Sequence, residues 1–271
     1  MSMLYPSSEA KPVYLMSGSW SISAKGRRLI FETSAGRAEH PVSKVLCVIC
    51  YSDGYVTTGA LELMHSSRCP LVLLDAHEGE LGGAYAIYPF SSHSSELLVA
   101  QAQLSEEERR RAASRVAASL EEQARAHSTE LELPEPAARG VEAFMEHTVE
   151  LSRLIEGYME ALKFTRMLLA AECLALLLRR GLNPARGLLY TSKETNIPLA
   201  YDLASACIRL ACSLALEQAK GGFSLRNEHA RRKAALALDR RLSQVRRGLR
   251  ELAHALALYY TSQGELSWVV E

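Results

Sequence analysis

"SKVLCVICYSDGYVTTGALELMHSSRCPLVLLD", residues 43–75, decides the fold. It opens with a β-branched, wholly apolar run and closes with another, "PLVLLD". Between them Thr57 or Thr58 stands where a helix cap belongs. Apolar runs of this length bounded by turn residues read as buried strands, and a capped segment between two of them reads as strand–helix–strand. Leu61, Met64 and His65 are expected on the inner face of that helix. Working outward, "PVYLM", "RRLIFET" and "LGGAYAIY" add strands, and "AKGR", "SAGR" and "HEGE" supply glycine turns between strands.

Near residue 90 the pattern changes. Residues 91–104, "SSHSSELLVAQAQL", begin as a serine-rich linker and end helically. From Ser105 nearly everything has helical period. Ser105 and Glu108 have capping-box spacing, and patterns continue over roughly 140–180, 199–219 and 226–261. The expected class is α+β: an N-terminal β domain over 1–90, a linker over 91–104 and a larger all-α domain over 105–271.

Composition narrows the function. The 271 residues carry 31 Lys+Arg against 31 Asp+Glu, so net charge names no partner. Six cysteines sit mostly in apolar runs and read as buried thiols, and the lone "CVIC" lacks a second ligand pair. With no long apolar segment, the chain is expected in a reducing cytoplasm and off the membrane. No phosphate-binding loop, dinucleotide fingerprint, HExxH or nucleophile elbow is present.

Two helical segments carry charge where it is costly or concentrated. In "LAYDLASACIRLACSLAL", Asp202, Ser205, Arg209 and Ser213 form one stripe if the helix is continuous. Asp202 is then either in an ion pair, with Arg209 or with a residue of another helix, or is a metal or catalytic carboxylate facing the preceding loop, where Tyr190 and Lys193 lie. Farther on, Leu238, Leu242, Val245, Leu249, Leu252, Leu256 and Tyr259 make a core stripe. On another face Arg226, Lys233, Arg240, Arg247 and His254 recur every seven residues, flanked by Arg231, Arg232, Arg241, Arg246 and Arg250. That face is either solvated surface or a phosphate-backbone footprint.

Together these pieces resemble the CRISPR-associated spacer integrase family (Cas-one). In the β region the marks are His40-Pro41-Val42, the threonine-capped helix and the "PLVLLD…GGAY" ending. In the helical region "GLNPARGLLYTSKETNIPLAYDLASACIR", residues 181–209, is similar to the family's "GLDPxxGFLH…SLAYDL" stretch, and the tail "YYTSQGELSWVV" is similar too.

The resemblance implies a dimer formed through the β domain. It implies Mg²⁺ or Mn²⁺ held by a glutamate, a histidine and an acid, and transesterification joining DNA 3′ ends to a repeat array. Position by position, the histidine falls on Tyr190, the first helix carboxylate is Asp202, and the acid three residues on is Ser205. The basic residue after it falls on Ile208, beside Arg209, and Glu156 in "IEG" is the match for the glutamate. About one helix and its loop are missing after it.

Catalytic-equivalent positions are therefore Glu156, Tyr190, Asp202 and Ser205, with Asp202 and Glu156 left to hold any metal. A single firm acid leaves a weak divalent site, so the expectation is a scaffold without integrase activity and with no cofactor. It would contact double-stranded or branched DNA through Arg226, Arg231, Lys233, Arg240, Arg241 and Arg247. Its partners would be a second copy, an active relative or another adaptation subunit. The rival expectations are an active integrase, using Glu156, Asp202 and a third ligand such as His147 or Glu160, and an interaction protein without DNA contact.

Overall fold

The computed structural model describes residues 10–16, 18–77, 81–88, 94–262 and 268. The turn expected at 77–80, the start of 91–104 and the tail after Ser262, Trp268 excepted, fall outside those residues.

The β region contains two sheets rather than one. The first has the order β1-β5-β7-β8, from β1 (Lys11–Leu15), β5 (Val45–Cys50), β7 (Leu71–Asp75) and β8 (Gly83–Ile87). β1, β5 and β7 are parallel and β8 is antiparallel to β7. The second has the order β4-β3-β2-β6, from β2 (Ser19–Lys25), β3 (Arg28–Thr33), β4 (Gly36–Pro41) and β6 (Asp53–Val56). The strand–helix–strand reading holds: α1 (Thr58–Ser66) lies between parallel β5 and β7, and the Thr57 side chain accepts from Ala60 N–H. Met64 faces the core, but His65 is exposed, because Ala60 rather than His65 completes the inner face.

Every residue of β5 is buried, since both its faces are covered. A strand sends alternate side chains to opposite faces, so Cys47 and Cys50 enter different cores. That parity explains why "CVIC" makes no ligand pair, and all six cysteines are free and buried.

The helices are α2 (Ser94–Gln103), α3 (Glu106–Glu130), α4 (Val141–Leu154), α5 (Tyr158–Arg180), α6 (Pro198–Ser205), α7 (Ile208–Lys220) and α8 (Glu228–Ser262). The Ser105–Glu108 capping box forms as expected. Two expected continuous helices are broken. The 140–180 pattern divides at a turn through Gly157, and the 199–219 pattern bends by 89° between α6 and α7. Gln123 fastens that corner, donating to Ser205 C=O at 2.9 Å and accepting from Arg209 N–H at 3.2 Å.

α5 is buried on nearly every face, as expected of a central helix. It packs on α6, α7 and α8 and also on β5 and β7, so helices and first sheet share one core. At the seam Glu172 of α5 accepts two bonds from Arg246 of α8, at 2.9 and 3.0 Å, and one from the Tyr14 hydroxyl of β1. Arg246 also meets Asp239 at 2.6 Å. Pairing of this kind offsets the cost of burying both charges.

Candidate functional site

The loop between α5 and α6 is fixed from both ends. Gly181 ends α5 in the left-handed region, φ 81°, where a Cβ is disfavoured. Pro198 starts α6 at a position that needs no N–H. In between, Asp202 reaches back: its Oδ2 accepts from Leu188 N–H at 2.5 Å, and its Oδ1 accepts from Leu189 and Tyr190 N–H, both at 3.1 Å. Gly187 lies so close that a Cβ there would stand 2.4 Å from Tyr190 O and 3.0 Å from Asp202 Oδ2. Asp202 is fully buried, and burial pushes its carboxyl up to about 7 while the three N–H bonds pull it down.

The pairing of Asp202 with Arg209 that a continuous helix would allow does not form: Arg209 lies on α7 beyond the bend and meets Glu130 at 3.5 Å. Asp202 does face the loop, but as an acceptor for backbone N–H groups. Ser205 is buried and its hydroxyl donates to Asp202 C=O at 2.5 Å, a bond internal to α6. Lys193 points to solvent.

Tyr190 is buried under the loop, where burial raises its phenol and the Arg166 charge opposes that rise. Arg166 of α5 donates to the Tyr190 hydroxyl at 2.9 Å. The same guanidinium stands 5.1, 5.7 and 5.6 Å from the ring centres of Phe144, Tyr190 and Tyr201. A permanent cation thus sits beside Tyr190 inside an aromatic box. Arg166 carries no signal of its own in the sequence, because one arginine in an apolar helix has no periodicity.

The remaining candidates are not assembled with this pair. Glu156 is exposed in the α4–α5 turn. Glu160 accepts from Leu225 N–H at 2.8 Å and so holds the loop before α8. His147 turns to His127 and Ser128.

The basic face of α8 divides. Arg226, Arg232, Lys233 and Arg240 are exposed, with no ion pair among the described residues. Arg241 pairs with Glu217 at 2.9 Å and Arg247 with Glu251 at 2.8 Å; both arginines remain exposed. Arg231 has to be removed from the DNA-facing set. It is buried, donates to Leu225 O at 2.5 Å and Met16 O at 3.3 Å, and lies 4.7 Å over the Tyr51 ring. Arg246 is likewise committed inward to Glu172.

The profile of the CRISPR associated protein Cas1 family matches residues 13–156, more than half of the chain. The chain belongs to this family. No curated protein matches it. Among solved structures it resembles a Cas1 protein from Thermotoga maritima, at 17% identity and TM-score 0.71, covering 93% of this chain and 97% of that one. A casposase bound to integration product is similar at 15% identity and TM-score 0.74, covering 95% and 93%. A Cas6-RT-Cas1–Cas2 complex matches at 15% identity and TM-score 0.75, over 98% of this chain and 36% of the longer one. At such identities these likenesses establish the Cas1 fold alone. The chain is an adaptation integrase-like protein by family, with the β-then-α architecture that the sequence predicts.

Proposed function

We propose that this Cas1-family chain is a catalytically degenerate, DNA-binding assembly subunit of the spacer-acquisition machinery. One observation carries the reading: Asp202 spends its oxygens on three backbone N–H groups while Arg166 is hydrogen-bonded to the position that the family's histidine would occupy. A divalent hard cation needs open oxygen ligands, and a neutral phenol beside a guanidinium offers none. The donor set does not fit Mg²⁺ or Mn²⁺.

DNA contact is supported by the open stripe Arg226, Lys233 and Arg240, with Arg241 and Arg247 beside it. Release of counterions from neutralised phosphates would supply affinity without base recognition. The casposase with its integration product and the complex containing Cas2 support DNA and an adaptation partner as the assembly context. A second copy or an active Cas1 relative would meet the β domain. Six free thiols suit a reducing cytoplasm. The test is band-shift titration of labelled duplex and branched DNA against salt. Binding that weakens with salt and is largely lost in Lys233→Glu/Arg240→Glu supports the role; absence of binding at low salt leaves only protein–protein contact and overturns it.

A further inference from the structure

Away from the α5–α6 loop, three metal-binding side chains converge inside the helical core. His127 comes from α3, His147 from α4 and Cys212 from α7; all are buried, and one ligand atom from each lies within 4.8 Å of the others. His127 Nδ1 and His147 Nε2 face each other at 2.8 Å. Their outer nitrogens are held by serines: His127 Nε2 lies 3.1 Å from Ser213 Oγ, and His147 Nδ1 lies 2.8 Å from Ser128 Oγ. Ser213 gives its own proton to Arg209 C=O at 3.0 Å, so its oxygen accepts from His127 Nε2–H. The lone pair of His127 Nδ1 is thereby turned inward.

A hydrogen-bonded histidine pair alone would leave two things unexplained. Cys212 brings a thiol to the same point, and the Tyr158 hydroxyl, at the start of α5, has only the weak Cys212 thiol beside it and no well-formed hydrogen bond. Tyr158 is itself fully buried. A buried hydroxyl with so weak a partner is costly, and a cation here would satisfy it.

We propose that His127, His147 and Cys212 form a buried site for a borderline-soft divalent metal, zinc by preference, with the Tyr158 hydroxyl or a water as fourth ligand. Bond lengths of about 2.0–2.1 Å to nitrogen and about 2.3 Å to sulfur place tetrahedral ligand atoms roughly 3.3–3.6 Å apart, which the cluster reaches by small side-chain shifts. A hydrogen-bonded outer nitrogen is the usual support for a ligating imidazole, and here serine hydroxyls take that place. Binding releases the Cys212 thiol proton to solvent, and the proton that His147 Nε2 shares with His127 moves to His147 Nδ1, where Ser128 Oγ accepts it. The ion would tie α3, α4 and α7 together beside the start of α5, as a structural staple independent of any integrase chemistry.

The test uses the full chain, stripped with a chelator and titrated with Co²⁺ and then Zn²⁺. The expected result is one metal per chain, a thiolate-to-cobalt charge-transfer band with tetrahedral d–d bands, and displacement of cobalt by zinc. In Cys212→Ala, a small apolar exchange, the charge-transfer band disappears and zinc affinity falls at least tenfold, while circular dichroism remains helical; His147→Gln provides a second variant. Failure to bind cobalt, or an unchanged spectrum and affinity in folded Cys212→Ala, overturns the proposal. DNA binding plays no part in the readout, so it stands or falls apart from the nucleic-acid role.

Discussion

At the residue scale, Asp202 changes from a candidate ligand into the organiser of a loop. Three N–H donors converge on it, and Gly187 makes room for that convergence. Gly187→Ala is expected to cost roughly 1–3 kcal/mol by overpacking, read as a lower denaturant midpoint at unchanged slope. The carboxyl is raised in the fold to about 7 from its ordinary value of 3.8. The folded state therefore holds a proton that the unfolded chain has released between those two values. The Asp202 contribution is fully present below about pH 4 and is lost as pH rises toward 7, at roughly 1 kcal/mol per pH unit within that window. Unfolding of wild type and Asp202→Asn across pH 4–8 checks this: wild type should lose stability relative to the variant as pH rises. Tyr190→His is expected to restore no Mn²⁺-dependent cleavage, because Asp202 stays committed to the backbone and Ser205 supplies no carboxylate.

At the scale of elements, α8 performs two tasks on two faces. Its inward arginines, Arg231 and Arg246, join the helix to β1 and α5, and its outward ones remain in solvent. Arg231→Ala should lower stability by roughly 2–3 kcal/mol, through two hydrogen bonds and a cation–π contact, with DNA affinity at matched folded fraction unchanged. Arg240→Ala should do the reverse, leaving stability within about 0.5 kcal/mol. If Arg240 meets one phosphate, the slope of log affinity against log salt should fall by about 0.9.

How much was legible in the sequence follows the same division. Heptad spacing identified the apolar and basic faces of α8, since periodicity records which side is wet. It could not separate Arg231 from Lys233, because inward arginines are recruited by partners distant in sequence, Met16 and Tyr51 for one and Glu172 for the other. The strands rich in Val, Ile and Leu were readable. The edge strands β4 and β6 were not, because an edge position imposes little apolar pattern, β4 being almost wholly exposed; β2 is interior, but it alternates serine with only Trp20 and Ile22 and so carries a short signal. The α6–α7 bend was missed because its cause, Gln123, lies on another helix. His127 lies in a helix of interspersed acids and bases and carries no sequence signal for the same reason: its partners lie on α4 and α7.

At the scale of the whole molecule, the β and α regions are divisible in sequence but not in packing. Leu46, Cys47, Ile49 and Val72 lie in the same core as Leu168, Leu174 and Leu249, and Tyr14 and Arg246 close on Glu172 at the seam. The 190–197 loop is also stitched to the β region, by Thr195 to Gly82 C=O at 2.8 Å and by Asn196 to Ala84 at 3.1 Å. One cooperative thermal transition is expected by calorimetry, and two separate ones would contradict the shared core. Under the proposed role, such a frame would keep a Cas1-family shape while its family-equivalent catalytic positions serve the fold. The central claim is DNA binding without strand chemistry. It is tested most directly by incubating the purified chain with labelled branched DNA and Mn²⁺, reading binding and strand cutting or joining in the same reaction. Salt-sensitive binding with every strand intact is the predicted result. Cutting or joining that disappears in Asp202→Ala would contradict it.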